Sequence, residues 1–278
     1  MKIGHQEFDI RNKTYIMAIL NVTPDSFSDG GKWNERDAAL AHVEEMIQEG
    51  AAIIDVGGES TRPGYTRISD DEEIERVVPV IEAIKQRFEI PVSVDTYKSG
   101  VAEAAICAGA DLINDIWGLK YDEKMAGVIA QHQVACCLMH NKDEAVYTEF
   151  FQEMLQETLE CVHIAKNAGI SDDRIILDPG VGFGKTYEMN LEAIRRVDEF
   201  ARIGYPVLLG TSRKSVIGLT LDLPAQERLE GTLATTVLAV KAGCAFVRVH
   251  DVKENYRAIR MTEAILGRQQ LQERGNHG

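Results

Sequence analysis

The sequence predicts a closed (β/α)8 TIM barrel, and three observations carry the prediction. Eight short, mostly apolar runs recur along the chain, as expected of parallel strands buried on both faces. Segments of helical periodicity separate them. Five of the runs follow a glycine (Gly50, Gly109, Gly169, Gly204 or Gly243), the usual left-handed stop after a last helical turn. A doubly wound open sheet is the structural alternative, but eight βα units with no break in composition favour closure, with the active site at the C-terminal strand ends.

The elements follow in order. Run 15–20 opens the barrel and is followed by a helix over 37–48, with Leu40, Val43 and Ile47 on one face. Run 52–56 comes next. Ser69-Asp70-Asp71-Glu72 then reads as a capping box ahead of Ile74, Val77 and Val78, and Pro79 is expected to kink or restart that helix. Runs 91–95, 111–115, 133–139, 174–178, 206–209 and 245–249 complete the strands. The amphipathic segments 150–166, 191–201, 226–241 and 254–266 supply further helices. No linker or low-complexity tract intervenes, so 1–278 reads as one domain, with about 267–278 a polar tail.

The chain has 278 residues, with 30 Lys and Arg against 44 Asp and Glu, a net charge of −14. That argues against nucleic acid, whose binding needs a basic surface to displace counterions. It argues equally against an anionic membrane surface. No apolar run approaches the roughly 18 residues that span a bilayer. The first seven residues carry no long apolar region, so the chain reads as a mature, cytoplasmic protein. Cys107, Cys136, Cys137, Cys161 and Cys244 include no CxxC pair and read as buried free thiols. No HxxxH pair points to zinc.

In a barrel, chemistry sits at the C-terminal strand ends. Asn21, Asp55, Asp95, Asn114, Asp178, Lys214, Arg248 and His250 cluster there. A single such residue is commonly a helix cap; repetition at strand after strand is not so explained, because each ionisable group ending a buried run needs a partner. Arg248 and His250 lie two apart and share a face, which suits an anion such as phosphate. Asp178-Pro179-Gly180-Val181-Gly182-Phe183-Gly184-Lys185-Thr186 nearly matches a phosphate loop, but Pro179 stands where the first glycine belongs. A tight turn with Phe183 exposed near Asp178 fits better. Two polar loops, 21–31 and 55–64, follow the first two strands and could close over a ligand.

The first loop with its strand, Met17-Ala18-Ile19-Leu20-Asn21-Val22-Thr23-Pro24-Asp25-Ser26-Phe27-Ser28-Asp29-Gly30, resembles the first motif of the dihydropteroate synthases. Asp55-Val56-Gly57-Gly58-Glu59-Ser60-Thr61-Arg62-Pro63-Gly64 resembles the second. The resemblance runs on, in order, through Ser93-Val94-Asp95-Thr96, Ile113-Asn114-Asp115, the Asp178–Lys185 loop, Thr211-Ser212-Arg213-Lys214-Ser215 and Arg248-Val249-His250. It implies a (β/α)8 barrel, usually a Mg²⁺-dependent homodimer and a sulfonamide target. The reaction implied is condensation of 6-hydroxymethyl-7,8-dihydropterin pyrophosphate with 4-aminobenzoate, giving 7,8-dihydropteroate and pyrophosphate in folate biosynthesis.

The resemblance also implies roles. Asp178, Asn114 and Asp95 would meet the pterin edge, with Lys214 on its carbonyl or ring nitrogen. Met139, Ile116, Phe183 and Gly210 would complete the pterin pocket. Asn21, Thr61, Arg248 and His250 would hold the pyrophosphate, with Mg²⁺ near Asn21. Phe27, Arg62, Pro63, Phe183, Lys214 and Ser215 would form the aminobenzoate pocket. Asp95, Lys214, Arg248 and His250 would be catalytic. The substrate's own chemistry, a pyrophosphate leaving from a carbon next to an electron-rich ring, favours a dissociative step through a pterin-methyl cation. Two other readings share the pterin cradle: a methyltetrahydrofolate-dependent methyltransferase, which needs neither the two loops nor Lys214, and a non-catalytic pterin-binding protein. The negative net charge is reconciled with anionic substrates if Arg62, Lys214, Arg248 and His250 face the mouth while Glu44, Glu45, Glu72, Glu73 and Glu75 lie on outer helices.

Overall fold

The computed structural model describes residues 1–22, 32–59 and 67–268. A small antiparallel hairpin, β1 (Lys2–Ile3) and β2 (Gln6–Glu7), precedes eight parallel strands: β3 (Tyr15–Asn21), β4 (Ala51–Gly57), β5 (Val92–Asp95), β6 (Leu112–Asp115), β7 (Ala135–Met139), β8 (Ile175–Asp178), β9 (Leu208–Leu209) and β10 (Phe246–Val249). Helices α1 (Lys32–Glu49), α2 (Asp70–Arg87), α3 (Ser99–Cys107), α4 (Met125–His132), α5 (Phe150–Asn167), α6 (Tyr187–Arg195), α7 (Val197–Ala201), α8 (Ser215–Leu221), α9 (Leu229–Ala242) and α10 (Val252–Ile265) alternate with them.

Each strand pairs with its sequence neighbour, and β10 pairs with both β3 and β9. A parallel bridge between Leu177 and Val207, with the Leu177 amide donating to the Pro206 carbonyl at 2.9 Å, joins β8 to β9 and closes the ring. An open doubly wound sheet is thereby excluded. The five glycines expected to stop helices all take positive φ, between 85° and 111°.

Side chains alternate across the wall with period two. Ile16, Ala18 and Leu20 of β3, Ile54 and Val56 of β4, and Val92 and Val94 of β5 pack outward against the helices. Met17, Ile53, Leu112, Cys137, Ile176, Leu208 and Phe246 face inward as an apolar lower layer. The hairpin caps this layer: Ile3 and Phe8 join the cluster, and the Phe8 ring packs edge-on to Tyr15 at 4.9 Å. With the lower half plugged by carbon, polar inward positions are confined to the upper half.

Several local expectations are corrected. Helix α2 runs through Pro79 without restarting, because Pro79 lies on the exposed face and Val77, Ile81 and Ile84 bury the opposite one. Only half of the capping box forms: the Ser69 hydroxyl accepts the Glu72 amide at 3.2 Å, while the Glu72 carboxylate turns to Arg76. Glu73, expected on a solvated face, is buried against Lys98. The segment expected as one helix over 191–201 breaks at Arg196, whose guanidinium bridges Glu192 and Glu199 across the break. A short 3₁₀ turn, Ala225–Glu227, precedes α9 where one helix was expected from 226. Among the cysteines Cys107 is exposed; the other four are buried. At the expected tail, Arg268 donates to the Val240 carbonyl at 2.7 Å, and 269–278 lie outside the described residues. No described helix is long and apolar enough to cross a membrane.

The plug gives a stability test. Phe8→Ala is expected to cost about 3 kcal/mol, the scale of a large buried aromatic truncated to Ala. Thermal melting should fall by roughly 6–12 °C, with kcat unchanged because the hairpin caps the end opposite the polar mouth.

Candidate functional site

The period-two alternation that builds the apolar lower layer carries on upward and selects the mouth. Two residues above Ile53 is Asp55; above Leu112, Asn114; above Cys137, Met139; above Ile176, Asp178; above Leu208, Gly210; above Phe246, Arg248. On β5, Ser93 and Asp95 take the inward positions. Parallel register sets these residues side by side, Asp95 opposite Asn114 and Met139 opposite Asp178. The next residue along β6, Asp115, falls on the other phase. Its carboxylate accepts the Trp117 and Leu119 amides at 2.8 Å each and is a loop cap, with burial raising its pKa to about 6.

Arg248 sits at the centre of the mouth. Its Nε donates to Asp55 Oδ2 at 2.5 Å and its Nη2 to Asp95 Oδ2 at 2.6 Å. The Asn114 amide donates to the same Asp55 oxygen at 3.3 Å. Asp55 is wholly buried and Asp95 nearly so. Burial drives the Asp95 pKa up, Arg248 opposes the rise, and the neighbouring Asp55 charge adds to it. Burial works against the charge on Arg248, yet Asp55 and Asp95 together hold the guanidinium protonated above its ordinary range. Asp55 Oδ1, Asp95 Oδ1 and Ser93 Oγ are buried without a hydrogen-bond partner in the protein. Buried acceptors left in this way are costly unless a ligand supplies donors.

The opposite side of the mouth is built around Gly210. A methyl group placed there would lie 3.6 Å from Asp178 Oδ2 and 3.8 Å from both Lys214 Nζ and the Arg248 Cβ. Asp178, Lys214 and Arg248 thus converge on Gly210 at ordinary contact distance, and a side chain longer than a methyl group would extend into the space between them. Asp178 Oδ1 accepts the Gly180 amide at 2.7 Å. Burial raises the Asp178 pKa against the pull of Lys214. Burial likewise lowers that of Lys214, to about 8, against the pull of Asp178. The Lys214 ammonium donates to the Val181 carbonyl and lies 4.8 Å over the Phe183 ring. Tyr97, Ile116 and Met139 form one apolar cluster, with Trp117 and the half-buried Phe183 packed on it.

His250 lies just past β10, its Nδ1 2.9 Å from the Ser212 hydroxyl, which also accepts the His250 amide at 3.2 Å. Asn21 ends β3 and is exposed; a methyl group on Gly57 would meet its Oδ1 at 3.6 Å and Asp95 Oδ2 at 3.9 Å. Ser215 is exposed at the start of α8. The structure thus brings together Asp95, Asn114, Ile116, Met139, Asp178, Phe183, Gly210, Lys214 and Arg248. Phe27, Thr61, Arg62 and Pro63 lie outside the described residues, as do most of the two polar loops. Among the described residues no group of three or more His, Cys, Asp and Glu is arranged to hold a metal ion.

Three features were not assigned from sequence. Asp55 stood only among the strand-end polar residues, although its place two before Gly57 on an inward phase marks it as a neighbour of Arg248. Ser212, which orients His250, carried no distinguishing signal. The third is a buried ionic clamp. Lys98 Nζ donates to Glu59 Oε2 at 2.8 Å, Glu73 Oε2 at 2.7 Å and the Ile68 carbonyl at 2.8 Å. The Tyr97 hydroxyl donates to Glu59 Oε1 at 2.6 Å, and Glu59 Oε2 accepts the Ile68 amide at 2.9 Å. Burial raises the Glu73 pKa despite Lys98. The clamp fastens Glu59 to Ile68 and both to α2 and the β5–α3 turn.

Comparison with known proteins agrees with this geometry. A family model described as pterin binding enzyme matches residues 17–250. A dihydropteroate synthase of Clostridium beijerinckii is 62% identical over 269 residues, covering 96% of this chain and all of that protein. The crystal structure of a Clostridium difficile dihydropteroate synthase, in the presence of pteroic acid, superimposes with TM-score 0.91 at 51% identity, covering 93% of this chain and 99% of that one. A Xanthomonas albilineans dihydropteroate synthase with 4-aminobenzoic acid gives TM-score 0.87 at 39% identity, covering 91% and 93%.

The Arg248 cluster predicts a pH-dependent loss of stability. Arg248→Met removes the counter-charge from two buried carboxylates and is expected to cost about 3–5 kcal/mol at neutral pH. Asp95, already shifted upward, binds a proton in the folded variant at a pH where the unfolded chain has released it. Stability of the variant therefore rises as pH falls through that raised pKa. Melting temperatures at pH 8 and pH 5 should show a smaller deficit against wild type at pH 5; an equal deficit contradicts the assignment.

Proposed function

The chain belongs to the pterin-binding enzymes and, within them, to the dihydropteroate synthases, and on that premise we propose how its residues divide the condensation of 6-hydroxymethyl-7,8-dihydropterin pyrophosphate with 4-aminobenzoate. One observation carries the division. Buried acceptors from adjacent strand ends line one mouth, and some of them lack any partner in the protein. A pterin edge rich in N–H donors is the kind of ligand that satisfies them.

Asp178 accepts the paired ring N–H and amino donors, Asn114 matches a mixed donor and acceptor edge, and Asp95 takes another ring nitrogen. Lys214 donates to the pterin carbonyl or ring nitrogen, in reach of the bond-forming region. Met139, Ile116 and Phe183 pack the rings, and Gly210 leaves the space that they need. This assignment is supported by the convergence of Asp178, Lys214 and Arg248 on Gly210.

Pyrophosphate departs from a carbon attached to an electron-rich ring, which favours ionisation to a pterin-methyl cation before attack. Asn21, Thr61, Arg248 and His250 hold the leaving group, and Asp95 faces the developing positive charge. The aniline nitrogen of 4-aminobenzoate attacks with its own lone pair, so no strong base is required. Phe27, Arg62, Pro63, Phe183, Lys214 and Ser215 form its pocket, Ser215 by a hydrogen bond to the carboxylate. The residues present fit Mg²⁺ arriving with the pyrophosphate, since that ion takes one or two protein oxygens beside phosphate and water. Asn21 supplies a neutral amide oxygen at an exposed strand end. Bound there, the ion would neutralise charge on the leaving group. Sulfonamides, isosteric with 4-aminobenzoate, compete for the same pocket.

We further place the enzyme in the cytoplasm as a single-domain homodimer. Free cysteines agree with a reducing compartment. Exposed Leu219, Leu221, Val237 and Leu238 on the neighbouring helices α8 and α9 are the natural face for a second copy.

Purified protein should release pyrophosphate only when both substrates are present. Asp178→Ala is expected to abolish pterin binding. Arg248→Ala should hold free pterin within about threefold of wild type while losing tenfold or more for the pyrophosphate ester, by titration calorimetry. Equal losses for both ligands would refute the partition. Positional isotope exchange in the ester without 4-aminobenzoate should be observed if ionisation precedes attack.

A further inference from the structure

The loop from Asp178 to Thr186 resembles a phosphate loop in sequence but is wired in the opposite sense. In a phosphate loop, backbone N–H groups and the lysine point at an anion. Here the lysine turns back onto its own loop. Lys185 Nζ donates to the Gly180 carbonyl at 2.9 Å, the Phe183 carbonyl at 3.0 Å and His140 Nδ1 at 2.9 Å. A fourth, longer contact reaches the His140 carbonyl at 3.4 Å, so the three N–H donors are fully taken up within the loop and by His140. Thr186, the other half of the apparent motif, is the N-cap of α6, its hydroxyl accepting the Met189 amide at 3.3 Å. Neither residue is left to serve a phosphate.

The contact with Lys185 also sets the state of His140. Its Nδ1 is the acceptor, so Nε2 carries the proton and donates to Glu157 Oε2 at 2.8 Å. Burial and the nearby Lys185 charge lower the His140 pKa to about 4, in keeping with a neutral ring. Glu157 is held in turn by Lys142 at 2.7 Å. A chain therefore runs from the Glu157 carboxylate through a neutral imidazole to the amine of Lys185 inside the loop, whose pKa burial lowers to about 7 against the pull of Asp178.

What Lys185 gathers is a glycine-rich turn, in which the Phe183 amide already donates to the Gly180 carbonyl at 3.1 Å. Gly180, Gly182 and Gly184 take φ of 68°, 89° and 53°, conformations that leave the carbonyls pointing in different directions. At Gly180 a Cβ would fall 1.9 Å from the His140 carbonyl. With Gly180 and Phe183 drawn to Lys185, the Val181 carbonyl between them faces Lys214, and the Phe183 ring lies beneath the Lys214 ammonium. Asn190 accepts the Gly182 amide at 2.6 Å, and the Tyr147 hydroxyl donates to the Gly184 carbonyl at 2.8 Å, bracing the outer side.

We propose that Lys185, oriented by His140 and Glu157, is a positioning residue that folds this loop around its own carbonyls and so sets Phe183 and Lys214 for the aminobenzoate half of the reaction. The proposal rests on the reading of Phe183 and Lys214 as walls of the aminobenzoate pocket. Phe183 and Lys214 also border the pterin in that reading, but its main partners, Asp95, Asn114 and Asp178, belong to strands β5, β6 and β8 and are fixed by the barrel, so the pterin half should depend on Lys185 less than the aminobenzoate half does.

The test is Lys185→Met, which keeps the length of the stem and removes the ammonium. The expected result is a tenfold or greater rise in KM for 4-aminobenzoate, with the Kd for the pterin pyrophosphate changed less than threefold. Hydrogen exchange across 179–184, followed by mass spectrometry without substrates, should accelerate at least tenfold. Unchanged KM and unchanged exchange overturn the proposal. Equal losses for both substrates overturn it too, since they signify general damage to the mouth. Faster exchange with an unchanged KM keeps the loop assignment but removes Phe183 and Lys214 from the aminobenzoate pocket, a failure of the underlying reading. Should Lys185→Met fail to fold, Glu157→Ala decides, with a threefold or greater rise in the same KM expected, rescued in Glu157→Gln, which retains the acceptor for His140. No rise in Glu157→Ala overturns the proposal.

Discussion

The upper half of this barrel depends on one guanidinium shared between two buried carboxylates. Asp55 and Asp95 stand on adjacent strands, and Arg248 spans them from across the mouth. Without Arg248, two negative charges would face each other in a space from which the protein excludes most water, and each would cost several kcal/mol to keep ionised. With it, one positive charge serves two negative ones. The cluster remains a net acceptor of donors, since Asp55 Oδ1 and Asp95 Oδ1, which Arg248 does not reach, are buried without a partner in the protein. The same ion pair therefore holds strands β4, β5 and β10 in register and leaves the site ready for a donor-rich ligand.

That arrangement is possible only because the lower half of the barrel is dry. Inward positions alternate along each strand, so Asp55, Asn114, Asp178 and Arg248 each stand two residues above an apolar side chain, while Asp95 stands above Ser93. Met17, Ile53, Leu112 and Phe246, with Ile3 and Phe8 from the hairpin, close the floor beneath Asp55 and Arg248. A floor open to water would screen the Arg248 pairs and weaken them.

The strands and the inward polar residues were legible in the sequence because both obey a period of two and both end in recognisable punctuation. Asp95, Asn114, Asp178 and Arg248 could be named as neighbours without a structure. The misjudged features are those in which a long-range partner overrides a local rule. Glu73 reads as surface on any helical wheel of acidic residues, but Lys98, 25 positions away, draws it inside. Arg196 breaks a helix that periodicity would continue, because its side chain gains Glu192, Glu199 and the face of Phe151 at 3.7 Å. At Lys185 the sequence goes only as far as a tight turn in place of a phosphate loop, and what the lysine binds instead appears only in the fold. Sequence records the residue types of a pair, and only the fold records that they meet.

The charge of −14 shows how little the whole says about the part. Around Gly210 and Arg248 the described side chains supply Asp55, Asp95 and Asp178 against Lys214 and Arg248, a mouth still short of positive charge by one. A pyrophosphate ester adds more negative charge to that deficit. Its binding must therefore draw on groups beyond this cluster, and the proposed contributors are Asn21, Thr61, His250 and Mg²⁺. On the proposed roles, each N–H that the pterin gives to Asp95 would loosen the hold of that carboxylate on Arg248 and free guanidinium donors for phosphate oxygens. Pterin recognition and pyrophosphate recognition would then meet at a single residue, Arg248, which the structure already ties to Asp95.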